Sequence, residues 1–258
     1  MDGVLESYEV QVRGRPVEVW RARGEGAPLV LVHGAAGHRD TWAPLWDVLA
    51  PAPRVAISLP GRPGSAAPAA ATAAEAAKWL VEVITALNLE TGPVLVGHSY
   101  GGAVALEVAL SGFELSGLVL VATGAKLRVA PSLLAAAEAA TEPLPMDAAF
   151  AASTPPAVVS AYHLASAQTP PSSAWADWRA CDGFDVRTRL PKLEARALVL
   201  HGDADVMTPT KFQIYLEAQI QGAVRLEIPG TGHMVPWEAP QAFCHALLDF
   251  QSGRTPSS

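Results

Sequence analysis

Hydrophobic and polar residues follow two different rhythms along this chain, and the change of rhythm predicts the architecture. Near the start, Tyr8-Glu9-Val10-Gln11-Val12 and Val17-Glu18-Val19-Trp20 alternate apolar with polar positions, the period of a strand with one buried face. Gly14-Arg15-Pro16 lies between them, so the pair reads as an antiparallel hairpin at the edge of a sheet. From Pro28 onward the apolar runs become continuous, at 29–32, 55–59, 94–96, 118–122, 197–200 and 224–228. Strands with no polar face are covered on both sides, as in a parallel sheet held between two layers of helices.

Helical patterns fill the gaps, at 41–49, 72–87, 100–110, 209–220 and 239–250. Strand and helix alternate, which predicts an α/β fold with a mostly parallel, doubly wound sheet. One stretch breaks the alternation: 125–189 has short helix-like pieces separated by prolines and no strand candidate. It reads as a small helical insertion after the sixth strand, with 1–124 and 190–251 forming the core domain. The small, polar tail 252–258 is expected to be disordered.

With 258 residues, 50% of them hydrophobic, the chain can bury one large core and still carry that insertion. The net charge of −7 is scattered, with no basic stripe to grip a phosphate backbone or an anionic lipid surface. Neither nucleic acid nor a membrane is therefore an expected partner. The opening MDGVLESYEV lacks a basic segment followed by an apolar run, and no stretch has the length of a membrane span. Cys181 and Cys244 are far apart and read as two reduced, buried thiols, so a cytoplasmic protein is expected. No His or Cys pair has metal-ligand spacing, and neither a metal nor a cofactor is implied.

The sharpest chemical signal is Gly97-His98-Ser99-Tyr100-Gly101-Gly102, directly after the strand at 94–96 and at the start of the helix from Tyr100. A tight strand-to-helix turn forces its central residue into a strained conformation, and flanking glycines leave room for it. Ser99 is thereby pushed to the C-terminal edge of the sheet. A serine hydroxyl is a poor nucleophile unless a base takes its proton. His233, in Gly230-Thr231-Gly232-His233 after the last strand, lies at the same edge and is the candidate base. His245 falls within a helix, His33 and His201 sit at strand ends as packing residues, and His163 reads as an ordinary surface position. An imidazole also needs an orienting carboxylate. Leu200-His201-Gly202-Asp203-Ala204-Asp205-Val206 offers two.

The order of Ser99, then an acid, then His233 resembles the α/β-hydrolase family from about Pro28 to Phe250, the insertion excepted. The resemblance implies Asp205 as the triad acid, since the family's acid loop carries its carboxylate in that place, and leaves Asp203 to hydrogen-bond the loop. His33-Gly34-Ala35-Ala36-Gly37 is similar to the family's oxyanion loop, which implies the backbone N–H groups of Ala35 and Tyr100 as the oxyanion hole. Glu238 and Pro240 are expected to serve a helix start. One departure stands out: Ser58-Leu59-Pro60-Gly61-Arg62-Pro63-Gly64-Ser65 lacks the Asp that often ends the strand before the family's second glycine loop.

By the same resemblance 125–189 is a cap that sets substrate choice. It has few basic residues to clamp phosphate, and Tyr162, Trp175, Trp178 and Phe184 could form an apolar pocket, though the favoured expectation is that they form its own core. The expectation is a serine esterase acting on a small, largely apolar ester or related acyl compound, as a monomer or homodimer. The same triad serves carbon–carbon bond hydrolases, lactonases, hydroxynitrile lyases and cofactor-free perhydrolases, and the same fold also admits a non-catalytic ligand-binding protein.

Overall fold

The computed structural model describes residues 5–50, 52–89 and 91–256. Eight strands form one sheet in the order β1-β2-β4-β3-β5-β6-β7-β8. They are β1 (Glu6–Val12), β2 (Arg15–Ala22), β3 (Leu29–Val32), β4 (Arg54–Ile57), β5 (Val94–His98), β6 (Gly117–Val121), β7 (Ala197–Gly202) and β8 (Val224–Ile228). The hairpin pairs antiparallel, β2 joins β4 antiparallel, and all later pairs are parallel.

Continuous hydrophobicity has the expected cause. In β3, Leu29 and Leu31 pack with Trp42, Phe243 and Leu247 on one face, while Val30 and Val32 pack with Leu80 and Val104 on the other. Helices α1 (Ala73–Ala86) and α2 (Tyr100–Leu110) cover that second face. A 3-10 helix, Arg39–Leu45, and the last helix of the fold cover the first.

Three local expectations are corrected. The hairpin turn is Arg13-Gly14, with φ of 52° and 71°, a two-residue turn whose twist matches the right-handed twist of the strands. Arg15 and Pro16 already pair with β1, where β2 has a neighbour on one side only. The helix at 41–49 is the 3-10 helix Arg39–Leu45 followed by turns, because Pro44 inside it has no N–H to continue an α ladder. Finally, β8 is an edge strand: of Val224, Arg225, Leu226, Glu227 and Ile228 only Ile228 is buried, so VRLEI is no two-face core strand.

Between β6 and β7 run α3 (Pro131–Ala139), α4 (Pro156–Ser166) and α5 (Pro171–Asp182), each opened by a proline that suits a first turn. After β7 come α6 (Thr210–Gln219), the short α7 (Val235–Glu238) and α8 (Pro240–Gln251). Helix α4 packs on the 3-10 helix and on α7, and α5 packs on α2. Among the described residues no helix is long and apolar enough to cross a membrane. Within the tail, Arg254 Nε donates to Asp249 Oδ1 at 2.7 Å, and Ser257 and Ser258 lie outside the described residues. So do Met1 to Val4 of the opening segment.

Candidate active site

Ser99 follows β5 with φ 53° and ψ −115°, a conformation that a residue with a Cβ adopts only under constraint. The constraint is packing. A Cβ on Gly97 would lie 2.3 Å from the Gly101 carbonyl oxygen, and one on Gly101 would lie 2.3 Å from that of Val32. Helix α2 therefore starts in contact with the ends of β3 and β5. The Ser99 amide donates to Val121 O at 2.8 Å, and its carbonyl accepts from Gly102 N at 2.9 Å and Thr123 Oγ1 at 2.8 Å. Its main chain is held on both sides, while its hydroxyl does not cap α2.

After β7, Asp205 bends back on its own loop. Oδ1 accepts from the amides of Met207 at 2.8 Å and Thr208 at 2.9 Å, and Oδ2 accepts from Thr208 Oγ1 at 2.7 Å. Its remaining partner is His233, whose Nδ1 lies 2.9 Å from Oδ2. Asp203 turns elsewhere and accepts from Gly230 N at 2.7 Å. Burial by itself would raise the Asp205 carboxyl, but the charge and hydrogen bond of His233 and the Thr208 bonds outweigh it and hold it at about 2. An ionised carboxylate only accepts, so the proton on Nδ1 is fixed and Nε2 is the ring's free lone pair.

His233 is buried, and its main chain is pinned: N–H to Ala149 O at 2.8 Å, C=O from His98 Nε2 at 2.9 Å. The His98 and His233 rings lie 5.0 Å apart, so the residue before Ser99 fastens the His233 loop to the turn after β5. Among the described residues the Ser99 hydroxyl bonds to none, His233 included; in hydrolytic sites that link commonly tightens once substrate is seated.

The loop after β3 closes the fourth side. A Cβ on Gly34 would stand 3.2 Å from Ser99 Cβ, so Gly34 lies against Ser99. The Ala35 amide has no hydrogen-bond partner among the described residues, and Tyr100 opens α2, where helix amides have no intrahelical acceptor. The Ala35 and Tyr100 amides are thus both left without a partner among the described residues.

The model of the Alpha/beta hydrolase family matches residues 29–246. The chain belongs to that family. A pimeloyl-[acyl-carrier protein] methyl ester esterase of Vibrio vulnificus (strain YJ016) is 30% identical over 254 residues, covering 90% of this chain and 96% of its own. Among solved structures, a thermophilic esterase superposes with a TM-score of 0.81 at 28% identity, covering 97% of this chain and 98% of its own. The enol-lactonase of Burkholderia xenovorans LB400 gives a TM-score of 0.83 at 20% identity over 95% of this chain and 100% of its own, a likeness of fold.

Several side chains of this hydrolase do more than its sequence suggests. Glu238, expected at a helix start, lies in the first turn of α7 and accepts from the amide of its N-cap residue Met234 and from Gly232 N, both at 3.0 Å, and beyond that role from Ala151 N at 2.8 Å and Thr154 Oγ1 at 2.6 Å. It cradles the backbone on both sides of His233 and ties it to the inserted segment. His98 escaped sequence reasoning altogether; its only signal was its place beside the serine. Burial first, then the His233 charge, pushes its imidazole down to about 3. His163 is half-buried, not an ordinary surface residue, and its Nε2 accepts from Met146 N at 3.2 Å. Tyr162 stands edge-on to Phe150 and to Trp237, so it joins the insertion to the core instead of filling the insertion's own centre. Trp178 and Phe184 are buried, with Trp175 partly so. His33 and His201 are buried and bonded to neighbouring loops, and the His245 side chain is largely exposed. Among the described residues no group of three or more His, Cys, Asp or Glu is placed to share a metal ion.

Proposed function

We propose that this α/β-hydrolase is a carboxylester hydrolase using Ser99 as nucleophile, His233 as general base and acid, and Asp205 as the group that orients and steadies the imidazole. The observation that carries the reading is the 2.9 Å bond between Asp205 Oδ2 and His233 Nδ1, made at the strand ends where Ser99 is held strained. Ser99 Oγ attacks the ester carbonyl as His233 Nε2 takes its proton. The negative charge on the former carbonyl oxygen falls to the amides of Ala35 and Tyr100. His233 returns the proton to the leaving alcohol, and water, deprotonated by the same nitrogen, releases the acid.

Residues 125–189 act as the cap. A small cavity within them, bordered by Ala36 of the oxyanion loop, is lined mainly by apolar residues such as Ala137, Leu144, Met146, Tyr162 and Trp178, which supports a short apolar acyl group. Most basic residues of the cap are engaged: Lys126 and Arg187 share Asp185, Arg128 faces Asp182 and Arg189 holds Glu107, while Arg179 lies over the Trp175 ring. This favours a free ester over one borne on an acidic carrier protein. A cytoplasmic site of action fits the two buried, unbridged thiols.

The test is labelling with a fluorophosphonate probe together with turnover of short p-nitrophenyl esters. Folded wild type should label and hydrolyse, and Ser99→Ala should do neither; a protein that stays unlabelled at Ser99 contradicts the mechanism. A carrier-bound methyl ester consumed much faster than its free counterpart would overturn the substrate assignment. Cyanohydrins and β-diketones in the same panel test the related chemistries.

A further inference from the structure

The loop before α1 and the inserted helices meet at a buried ion pair that no part of the triad uses. Arg62, after β4, and Asp177, on α5, are both shielded from solvent, with side chains 1% and 4% exposed. Every face of the guanidinium is engaged: Nε donates to Gly37 O at 2.7 Å, Nη1 to Pro60 O at 2.9 Å, and Nη2 to the Asp177 carboxylate. Asp177 Oδ2 also accepts the Ala36 N–H at 2.9 Å. Two hydroxyls of the insertion grip the same loops, Thr169 Oγ1 on Gly37 O at 2.8 Å and Ser173 Oγ on Gly61 O at 2.6 Å.

Ala36 is the next residue after the free amide of Ala35, and it has φ 56°, a left-handed conformation that alanine takes reluctantly. A carboxylate reaching in from α5 holds it there. With the Ala36 amide held by Asp177, the Ala35–Ala36 peptide plane is fixed directly beside the Gly34–Ala35 peptide, whose N–H the mechanism above uses.

We propose that Asp177 is a positioning residue: braced by Arg62, it sets the oxyanion loop from the inserted helices, so that the cap governs the rate at Ser99 as well as the shape of the pocket. The proposal rests on the hydrolase mechanism above and adds to it a link between cap and catalysis. It also accounts for the missing Asp after β4: the loop draws its carboxylate from α5.

The experiment compares wild type, Asp177→Asn, and the double variant Arg62→Met/Asp177→Leu, which removes acceptor and charge together without stranding a buried cation. The substrate is p-nitrophenyl acetate, and rates are normalised to sites titrated with a fluorophosphonate. Losing an oxyanion donor outright lowers kcat by about 10²–10³-fold, so a misplaced one should lower it by about 10–100-fold in the double variant, with KM changed less than about twofold. Asp177→Asn, which keeps an acceptor for the Ala36 amide, should fall between. Hydrogen exchange of the peptide spanning 34–38 should speed up in the same order. A double variant that turns over like wild type, or exchange at 34–38 that does not change, overturns the proposal, whatever happens to Tm. Wild type that neither labels nor turns over ester overturns the hydrolase mechanism instead, and the exchange arm then decides by itself whether α5 holds the loop.

Discussion

Asp205, the proposed triad acid, sits in an environment that serves largely to hold it still. Three of its hydrogen bonds go to its own loop and one to His233, so the carboxylate is set before the imidazole reaches it. Asp205→Asn should keep the loop, since an amide oxygen can still accept from Met207 and Thr208, yet present the wrong partner to Nδ1. The expected outcome is a fall in kcat of about 10³–10⁴-fold with a circular-dichroism melt close to wild type. A variant retaining a tenth or more of the activity would remove Asp205 from the mechanism. Ser99 and His233 could be proposed from the sequence because each sits beside a continuous apolar run and within a local glycine pattern, whereas Asp205 was separated from Asp203 only by the family resemblance. His98, Glu238 and the Arg62–Asp177 pair were not. Their partners lie far along the chain, up to 141 residues away for Asp177 and Ala36, and a contact made by topology leaves no local spacing to read.

Among the elements, the parallel strands were read correctly because two-face burial leaves no other composition open to them. The outermost strand was misread because its charged residues stand between apolar ones at an edge. Loops depend on closer detail, as the elbow shows. A methyl on Gly101 would lie 2.3 Å from Val32 O and 2.5 Å from His33 O, so Gly101→Ala must part α2 from β3. It should cost about 3 kcal/mol, the upper end of overpacking effects, in urea denaturation. The α7 segment gives the opposite kind of test. Glu238→Ala leaves the amides of Gly232, Met234 and Ala151 without their acceptor. The loss should be about 2–4 kcal/mol in the same measurement, with kcat lowered as well because His233 lies inside the freed stretch. Wild-type stability in this variant would show that water replaces the carboxylate at no cost.

At the scale of the molecule, imidazoles held neutral inside the fold shape its response to acid. His98 has its titration lowered from 6.5 to about 3, and burial lowers that of His33 as well. In that interval the unfolded chain takes up protons that the native state refuses, so stability is full above about 6.5 and falls as pH drops toward 3. Each such group adds a slope of roughly 1.4 kcal/mol per pH unit. Urea midpoints measured from pH 7 to 4 should decline, and His98→Gln should make the decline shallower. A slope unchanged by that substitution would contradict the neutral, buried assignment.

The left-handed turn at Ser99 leads to one more expectation. Glycine reaches that backbone conformation without a steric penalty, so Ser99→Gly should release part of the roughly 1–3 kcal/mol held in the turn, less about 1 kcal/mol for glycine's freer unfolded chain. In a domain of this size the net gain amounts to a few degrees in Tm. The inactive protein should therefore melt higher than the active one, as if the fold were more at ease without the hydroxyl it exists to present.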